Sequence, residues 1–359
     1  MWLRAGCAAA AVAMATAGCS SAGSSGGASG ATSTSTLSAM KSQSFGPPEK
    51  ATIDVGVVPA MDSAGFFVAM HEGLFAKEGL TVNYTPEASS ETAISEQQDG
   101  KLDITAGNYV SYIQAAMKGA PLQVIAEASV MQPGSQVIFT MPGSGIKSLD
   151  QLQGHMIGVN APGNIDNLLA ASVLSQNGIS SGVKFPSKPI PFPQMAQKLQ
   201  SGQVSAAILP EPFASEVEQQ LGAVTLADLN QGATQTFPIE GYVVTKQWAQ
   251  QNPNTLGRFL TALEAGQETA DTNRGAVESA FESLKGAQDG QISPMIASVM
   301  ALNDYPIGLN VTRLQRVSNV MYQFGLEPGQ AKPFSVQSMV MPPSTFNFKP
   351  FESNESASP

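Results

Sequence analysis

Residues 55–84 contain the change of hydrophobic period that is typical of a strand, a helix and a second strand. An apolar run, 55–58, ends at Pro59 and a small polar loop. Apolar side chains then recur at helical spacing over 64–71, and positions 80, 82 and 84 alternate as they do in a strand. The stretch predicts a β–α–β unit whose first loop leads into a helix N-terminus, where unpaired N–H groups face outward and ligands bind.

The same alternation of short apolar strands and capped helices continues to residue 245. It predicts an α/β fold with mostly parallel sheets that are covered on both faces. A break at 142–145, after which the pattern restarts, predicts two lobes: the first part of lobe 1 at 49–142 and lobe 2 at 143–242. Amphipathic helices over 243–350 are predicted to return to lobe 1, and 351–359 is predicted to be disordered.

The first 48 residues are predicted to lie outside the folded body. Arg4 and the short apolar stretch 8–16 are typical of a signal peptide, predicted at 1–18. Small residues precede Cys19 as in a bacterial lipoprotein cleavage site, so we expect a lipid on Cys19, followed to residue 48 by a disordered tether rich in Ser and Gly. The alternative is cleavage at an Ala-x-Ala-like site, which leaves a freely secreted protein.

Composition narrows the chemistry that is available. The net charge of −10 argues against nucleic acid as a partner. The chain has two cysteines and two histidines, and Cys7 leaves with the signal peptide. No His, Cys and carboxylate residues cluster at the spacing of a metal site, so we expect no metal, no cofactor and no disulfide.

Several short segments follow one another in a characteristic order along 55–222. They are EGLF at 72–75 with EGL at 78–80, DGKLD at 99–103, LDQLQG at 149–154 before IGV at 157–159, SGQVSA at 201–206, and EP at 211–212. In order and spacing they resemble the solute-binding proteins of ABC importers, in the branch that serves sulfonates, nitrate and thiamine-precursor pyrimidines. Ser205 stands where that family usually has Asp.

The resemblance implies a type II periplasmic-binding-protein-like fold, in which two crossing strands join the lobes and a hinge closes on the ligand. The crossings are expected at 142–145 and 239–242. The resemblance also implies a monomeric, extracytoplasmic protein at the outer face of the cell membrane. Such a protein captures a small molecule and delivers it to an ABC permease and its ATPase, without doing chemistry.

Loops at the carboxyl ends of strands in both lobes should line the ligand cleft. Glu211, between two prolines, is the strongest single candidate, and Glu240 at the second expected crossing is similar. A structural hydrogen bond to the hinge backbone is the alternative role for Glu211. The candidate ligand-binding residues are Asp62, Ser63, Ser89, Asn108, Tyr109, Ser129, Asn160, Gly163, Asn164, Glu211 and Glu240.

Other roles stay open for most of these side chains. Asp62, Ser63 and Asn108 could cap helices instead of binding ligand. Tyr109 could stack on a planar ligand or pack in the core. The turn at 162–164 could receive an anion or only begin a helix, and Asp166 is expected to complement the helix dipole.

The charges near the predicted cleft bear on the ligand. No arginine lies between Arg4 and Arg258, so this stretch lacks the guanidinium that binds oxoanions through two parallel hydrogen bonds. The acidic candidates favour a neutral or cationic ligand with hydrogen-bond donors, such as a thiamine-precursor pyrimidine, over a sulfonate or nitrate. A small anion stays an alternative because helix N-termini could hold it.

Three functions are compared. The first is the binding subunit of an importer. The second is an enzyme on the same fold, which is disfavoured because the chain has no GxSxG segment with a plausible His partner and lacks the His and Cys-rich motif of the related pyrimidine synthases. The third is a sensor that binds a ligand but serves no permease.

Overall fold

The computed structural model describes residues 45–284 and 292–341. The predicted signal peptide, Cys19, the tether up to residue 44 and the predicted disordered tail lie outside the described residues. The strands are β1 (Thr52–Val57), β2 (Thr81–Pro86), β3 (Ile104–Asn108), β4 (Leu122–Val130), β5 (Gln136–Thr140), β6 (Ile157–Gly158), β7 (Ala206–Pro210), β8 (Val224–Asp228) and β9 (Pro238–Thr245).

The helices alternate with these strands and continue beyond the last of them. In the first half of the chain they are α1 (Ala64–His71), α2 (Leu74–Lys77), α3 (Ser90–Gln98), α4 (Tyr109–Met117) and α5 (Ile165–Gln176). In the second half they are α6 (Phe192–Gln200), α7 (Phe213–Leu221), α8 (Lys246–Gln251), α9 (Pro253–Thr272), α10 (Arg274–Glu282), α11 (Pro294–Val299) and α12 (Val311–Gln323). Across the described residues no helix has both the length and the apolar character needed to cross a bilayer.

The strands form two separate sheets, which define the two lobes. The first sheet has the order β2-β1-β3-β9-β4, and the second has the order β6-β7-β5-β8. In the first sheet only β9 runs against its neighbours, and in the second only β5 does. The prediction of an α/β fold with two lobes and mostly parallel sheets is therefore confirmed.

The two connections between the sheets lie earlier than the sequence predicted. The chain leaves the first sheet after Val130 and enters the second at Gln136, and it returns between Asp228 and Pro238. The expected crossing at 142–145 was wrong because β5, which precedes it, already pairs with β7 in the second sheet. The expected crossing at 239–242 was wrong because those residues lie inside β9 and pair with β3 and β4.

The second connection is fixed to lobe 1 by Arg316 of α12. Its guanidinium donates hydrogen bonds to the carbonyls of Ala233 (3.0 Å), Gln235 (2.7 Å) and Thr236 (3.0 Å). It also lies 5.4 Å from the centroid of the Phe237 ring, which adds a cation–π contact. This set of contacts, called here the Arg316 clamp, holds one connection against a helix of the first lobe.

The helices after β9 pack mainly on the first lobe. Phe259 of α9 stacks on Phe75 of α2, with ring centroids 5.2 Å apart, and Phe281 of α10 meets Phe67 of α1 edge to face at 5.6 Å. These rings belong to the largest apolar core of lobe 1. They pack α1 and α2 against α9 and α10, and α1 begins directly behind the loop that follows β1.

Candidate ligand-binding site

Loops at the carboxyl ends of the strands face each other across the lobes and touch. The backbone N–H of Met61, after β1, donates to the carbonyl of Glu211, after β7, at 2.8 Å. The side-chain amide of Asn160, after β6, donates to the carbonyl of Ala88 at 3.0 Å. Gln114 of α4 donates to the carbonyl of Gly163 at 2.9 Å. Residues of both lobes thus meet in a closed cleft.

Three of the candidate residues cap helices in this structure. The side chains of Ser89, Asn108 and Asn164 accept hydrogen bonds from backbone N–H groups in the first turns of α3, α4 and α5, respectively. Asn164 also donates to the side-chain oxygen of Asn160 at 2.6 Å. These caps satisfy helix N–H groups that would otherwise be available to a bound anion.

Two further candidates are fully buried beside the cleft. Tyr109 has no exposed surface, and its ring lies so close to Gly241 that a Cβ there would approach it to 2.5 Å. Ser129 is equally buried, and its hydroxyl has no hydrogen-bond partner among the described residues. In the closed structure the ring of Tyr109 packs in the core and offers no free face for stacking.

Asp62, Ser63 and Glu240 form a buried acidic cluster with two amide side chains. Ser63 donates its hydroxyl to Glu240 Oε1. Asp62 accepts hydrogen bonds from Asn303 at 2.8 Å and from Gln136 at 3.3 Å. Gln136 belongs to β5 of the second sheet, so the cluster joins the two lobes.

Burial makes the charges of this cluster costly. Removal from water raises the pKa of Asp62 from 3.8 to about 6, although the hydrogen bonds from Asn303 and Gln136 oppose the rise. Burial also raises the pKa of Glu240 well above its ordinary value, and the nearby charge of Asp62 adds to this effect. Asp62 is therefore expected to take up a proton near pH 6 instead of near pH 4.

Glu211 and Asp166 hold backbone segments around the cleft. Glu211 accepts hydrogen bonds from the backbone and hydroxyl of Ser215 (3.0 and 2.9 Å) and from the backbone of Ala301 (3.0 Å). Asp166 accepts the backbone N–H of Asn160 at 2.9 Å. Burial raises the pKa of Glu211 above its ordinary value and that of Asp166 to about 7.

An apolar pocket of about 210 Å³ lies between the lobes. Lobe 1 contributes Val58, Pro59, Pro86, Glu87 and Ala88, and lobe 2 contributes Pro191, Phe192, Pro193 and Phe213. The rings of Phe192 and Phe213 stack on each other with centroids 5.5 Å apart. We call this space the Glu87 pocket, after the one charged residue of its lining.

Glu87 was missed by the sequence reasoning, as were Gln136, Asn303 and the pocket wall of lobe 2. A signal for Glu87 existed, because it lies between the end of β2 and Ser89, one of the candidate ligand-binding residues. The aromatic wall had no such signal, since Phe192 and Phe213 are the first residues of amphipathic helices and their spacing also fits an ordinary core.

We expect replacement of Gln114 by Ala to loosen the contact between the lobes. The change removes the hydrogen bond to Gly163, which is worth about 0.5–1.5 kcal/mol, and leaves each lobe intact. The radius of gyration of the ligand-free protein, measured by small-angle X-ray scattering, should increase. Gln98→Ala, on the exposed side of α3, is the control and should leave it unchanged. An unchanged radius in both variants would contradict a closing role for this bond.

No group of three or more His, Cys, Asp or Glu side chains suited to a metal ion occurs within 45–284 and 292–341. Of the buried carboxyls around the cleft, Asp62, Asp166 and Glu240 accept hydrogen bonds and Glu87 lines the apolar pocket. What the site offers is a set of hydrogen-bond acceptors around an apolar space that two lobes enclose. Concave apolar spaces with a few polar groups are typical of small-molecule sites in proteins.

Two α/β lobes that close on a cleft at their strand ends define the periplasmic-binding-protein fold. Solved structures agree with this assignment. The alkanesulfonate-binding protein SsuA of Xanthomonas axonopodis pv. citri, bound to MOPS, superposes with a TM-score of 0.66 at 14% identity, over 80% of this chain and 97% of that one. The nitrate-binding protein NrtA of Synechocystis superposes with a TM-score of 0.66 at 16% identity, over 80% and 84% of the two chains.

The chain belongs to the NMT1-like family, whose sequence profile matches residues 46–284. The resemblance drawn from short segments is thereby confirmed. Among its relatives, the nitrate import ATP-binding protein NrtC of Synechocystis is 26% identical over 242 residues, which are 63% of this chain and 36% of NrtC. A putative thiamine biosynthesis protein of Haemophilus influenzae is 24% identical over 296 residues, 78% of this chain and 88% of that protein. The chain thus spans only about a third of the length of NrtC.

Proposed function

We propose that this protein is the extracytoplasmic solute-binding subunit of an ABC importer. It captures a small organic molecule between its lobes by hinge closure and delivers it to a permease. The observation that carries the proposal is the closed cleft, in which strand-end loops of both sheets hydrogen-bond to each other and enclose the Glu87 pocket. A ligand that contacts both lobes favours closure because it binds the closed form better than the open one.

The proposed partners of this chain are inferred from what its relatives bind and do. SsuA and NrtA are described as binding proteins for alkanesulfonate and nitrate, and NrtC as an import ATP-binding protein. We propose an ABC permease and an ATPase as partners of this chain, which acts as a monomer. We further propose that a lipid on Cys19 holds it at the outer face of the membrane. A sensor that serves no permease is the alternative use of the same cleft.

We propose that the protein does no chemistry on its ligand. The two histidines, His71 and His155, lie outside the strand-end loops that form the cleft. Glu87 is the one titratable residue that lines the pocket, and Asp62, Asp166, Glu211 and Glu240 around the cleft accept hydrogen bonds. No pair of a nucleophile and a base therefore faces the pocket among the described residues, as covalent catalysis would need.

The proposed ligand is neutral or cationic and carries hydrogen-bond donors; an amino-bearing heterocycle such as a thiamine-precursor pyrimidine fits. Asp62, Glu240, Asp166 and Glu87 lie in or around the cleft, and burial raises the pKa of each. A donor or cation would stabilise the charged form of such a carboxyl, whereas an anion would add repulsion. The anionic ligands of SsuA and NrtA favour the alternative, a sulfonate or nitrate at the N-terminus of α1, where no side chain caps the helix.

Titration calorimetry should separate the two ligand classes. We expect an aminopyrimidine to bind the purified protein at pH 7.5, and taurine and nitrate to bind more weakly or not at all, because the cleft presents acceptors instead of guanidinium donors. Tight binding of only the anions would defeat the proposed ligand class. It would leave the importer role intact, because that role depends on capture by the cleft and not on the charge of the ligand.

Native mass spectrometry of protein purified from its own host tests the importer role more directly. It should show a co-purified small molecule and a mass increase from the lipid on Cys19 in the same spectrum. Co-purification of the protein with a permease, after mild detergent extraction, would separate transport from sensing.

A further inference from the structure

We propose that closure of the ligand-free cleft is coupled to proton uptake by three buried carboxyls, Asp62, Glu240 and Asp166, so that a rise in pH favours the open form. The inference rests on the hinge motion of the proposed function but requires no ligand. Asp62 and Glu240 belong to lobe 1, and Asp166, in the first turn of α5, belongs to lobe 2. All three are buried in the closed structure, so closure brings acidic groups of both lobes together.

No basic side chain neutralises these acids. Among the described residues, none of the ion pairs between charged side chains involves any of the three. Arg313, whose charge acts on Tyr109 beside Glu240, is already bound to Glu127. Negative charges that meet in a buried space without a countercharge repel each other, and this repulsion opposes closure.

The other titratable groups that face the three acids supply no positive charge either. Burial raises the pKa of every phenol among them, so the phenols stay neutral. Glu211, after β7, directs its carboxyl to Ser215 and Ala301. The facing groups are Tyr109 and Tyr112 of α4, Tyr242 of β9, Tyr305 after α11, and Glu91 of α3.

The hydrogen bonds of Asp62 provide a place for a proton. Asp62 accepts from the side-chain amides of Asn303 and Gln136. The amide oxygens of these same two side chains are buried without a partner among the described residues. Acceptors therefore outnumber donors around Asp62. A proton on its carboxyl supplies a missing donor, and the amide of Gln136 can rotate to present its oxygen to it.

Two of the acids lie at contacts that join the lobes. The amide of Gln136, which bonds to Asp62, belongs to β5 of lobe 2. Asp166 accepts the backbone N–H of Asn160, whose side chain donates to the carbonyl of Ala88 in lobe 1. Opening breaks these contacts and admits water to both carboxyls. Water solvates the charged form of a carboxyl and returns its pKa towards the ordinary value.

The pKa values of the closed form agree with this geometry. Burial raises the pKa of Asp62 from 3.8 to about 6 and that of Asp166 to about 7, and it raises the pKa of Glu240 well above its ordinary value. The charge of Asp62 adds to the rise at both other acids. The closed form therefore binds more protons than the open form. Its advantage is complete below about pH 4 and is lost as the pH rises through 6 and 7.

The coupling has a consequence for ligand capture. The hydrogen bonds that join the lobes keep the open form a minority, and its share grows with pH. A ligand enters through the open form, so a smaller share of the empty protein can receive one in acid than at neutral or higher pH.

Single-molecule FRET on the full mature chain without ligand measures the open share. Dyes are attached through Gln98→Cys on α3 of lobe 1 and Gln194→Cys on α6 of lobe 2, both exposed positions, with Cys19→Ser to prevent a third label. The ratio of open to closed molecules should rise at least about tenfold from pH 5 to pH 8, the effect of the raised pKa of Asp62 alone. Gln114→Ala, which weakens closure, should increase the open share at every pH and keep it measurable.

Matched variants assign the effect to the three acids. Asp62→Asn should weaken the rise, because it removes one titrating group and the charge that acts on the other two. The triple variant Asp62→Asn, Glu240→Gln, Asp166→Asn should leave a rise of less than about threefold, since amides keep the shape and an acceptor but do not titrate in this range. Asp99→Asn, an exposed acid of lobe 1, is the control and should keep the full rise.

The pH dependence separates proton uptake from a structural effect of the substitutions. A substitution that only loosened the cleft would change the open share by the same factor at pH 5 and at pH 8. Thermal unfolding at both pH values verifies that each variant is folded. An open share that is the same at pH 5 and pH 8, in both the wild type and Gln114→Ala, overturns the inference, and so does a triple variant that keeps the full rise. Neither result bears on the importer role, which the co-purified ligand tests separately.

Discussion

Replacement of Arg313 by Met should lower the stability of the protein by about 3–5 kcal/mol. Arg313 of α12 donates to both carboxylate oxygens of Glu127, at 3.2 Å through Nε and at 2.6 Å through Nη2. Glu127 lies in β4 with no exposed surface. Removal of the guanidinium leaves a buried carboxylate without its countercharge. Chemical denaturation at pH 7.5 should show the loss as a lower midpoint with an unchanged slope.

Two comparisons make this result specific. Lys101→Met breaks an exposed ion pair with Glu96 and should change the stability by less than about 1 kcal/mol. The double variant Glu127→Gln with Arg313→Met removes both charges and should be more stable than Arg313→Met alone, because no unpaired buried charge remains. If Arg313→Met were as stable as Lys101→Met, the ion pair would not hold α12 to the sheet.

Replacement of Asp62 by Asn should stabilise the ligand-free protein at pH 8. The folded pKa of Asp62 is raised from 3.8 to about 6, so the favourable protonated form is present below pH 3.8 and is lost as the pH rises through 6. At about 1.4 kcal/mol per pKa unit, the rise corresponds to roughly 3 kcal/mol at pH 8. The asparagine carries no such cost. The difference between variant and wild type should shrink towards pH 4.

The contacts of Asp62 allow this substitution. Asn303 can still donate to the remaining oxygen, and the amide of Gln136 can rotate so that its Oε1, which has no partner among the described residues, accepts from the new amide. Asp99→Asn, at an exposed position, is the control and should change stability by less than about 0.5 kcal/mol. A wild type that is as stable at pH 8 as the Asp62→Asn protein would contradict a buried charge at this position.

The hydrophobic pattern along the chain was sufficient to predict the fold class. It was not sufficient to predict where the chain crosses from one sheet to the other. The unit at 55–84 forms as predicted because its periods of two and then 3.6 are unambiguous. The break at Pro142 and Gly143 was taken for a crossing, but the chain changes sheets before β5. All residues of β5 are buried, so its sequence fits the interior of either sheet. Which sheet it joins depends on β7 and β8, far along the chain.

Prediction of the candidate site was limited in the same way, because contacts between distant parts of the chain are not visible in local sequence. The expectation that loops at the carboxyl ends of strands meet at the cleft was correct. Residue type alone also indicated that Asn108 and Asn164 could cap helices. The partners of Asp62 were not visible, since Asn303 is 241 residues away along the chain. Whether these side chains contact a ligand stays a prediction, as does the lipid on Cys19.

The Arg316 clamp has a consequence for how the lobes separate. It fastens residues 233–236 to α12, so the bending of that connection is confined to the residues before Ala233. The first connection runs alongside, because Met131 donates its backbone N–H to the carbonyl of Phe237 at 2.8 Å. Because the two connections lie so near each other, we expect lobe 2 to rotate about a single hinge axis instead of adopting many orientations. Each closure of the ligand-free protein then restores the same contacts between the lobes. A permease that recognises the closed form would therefore meet a single shape.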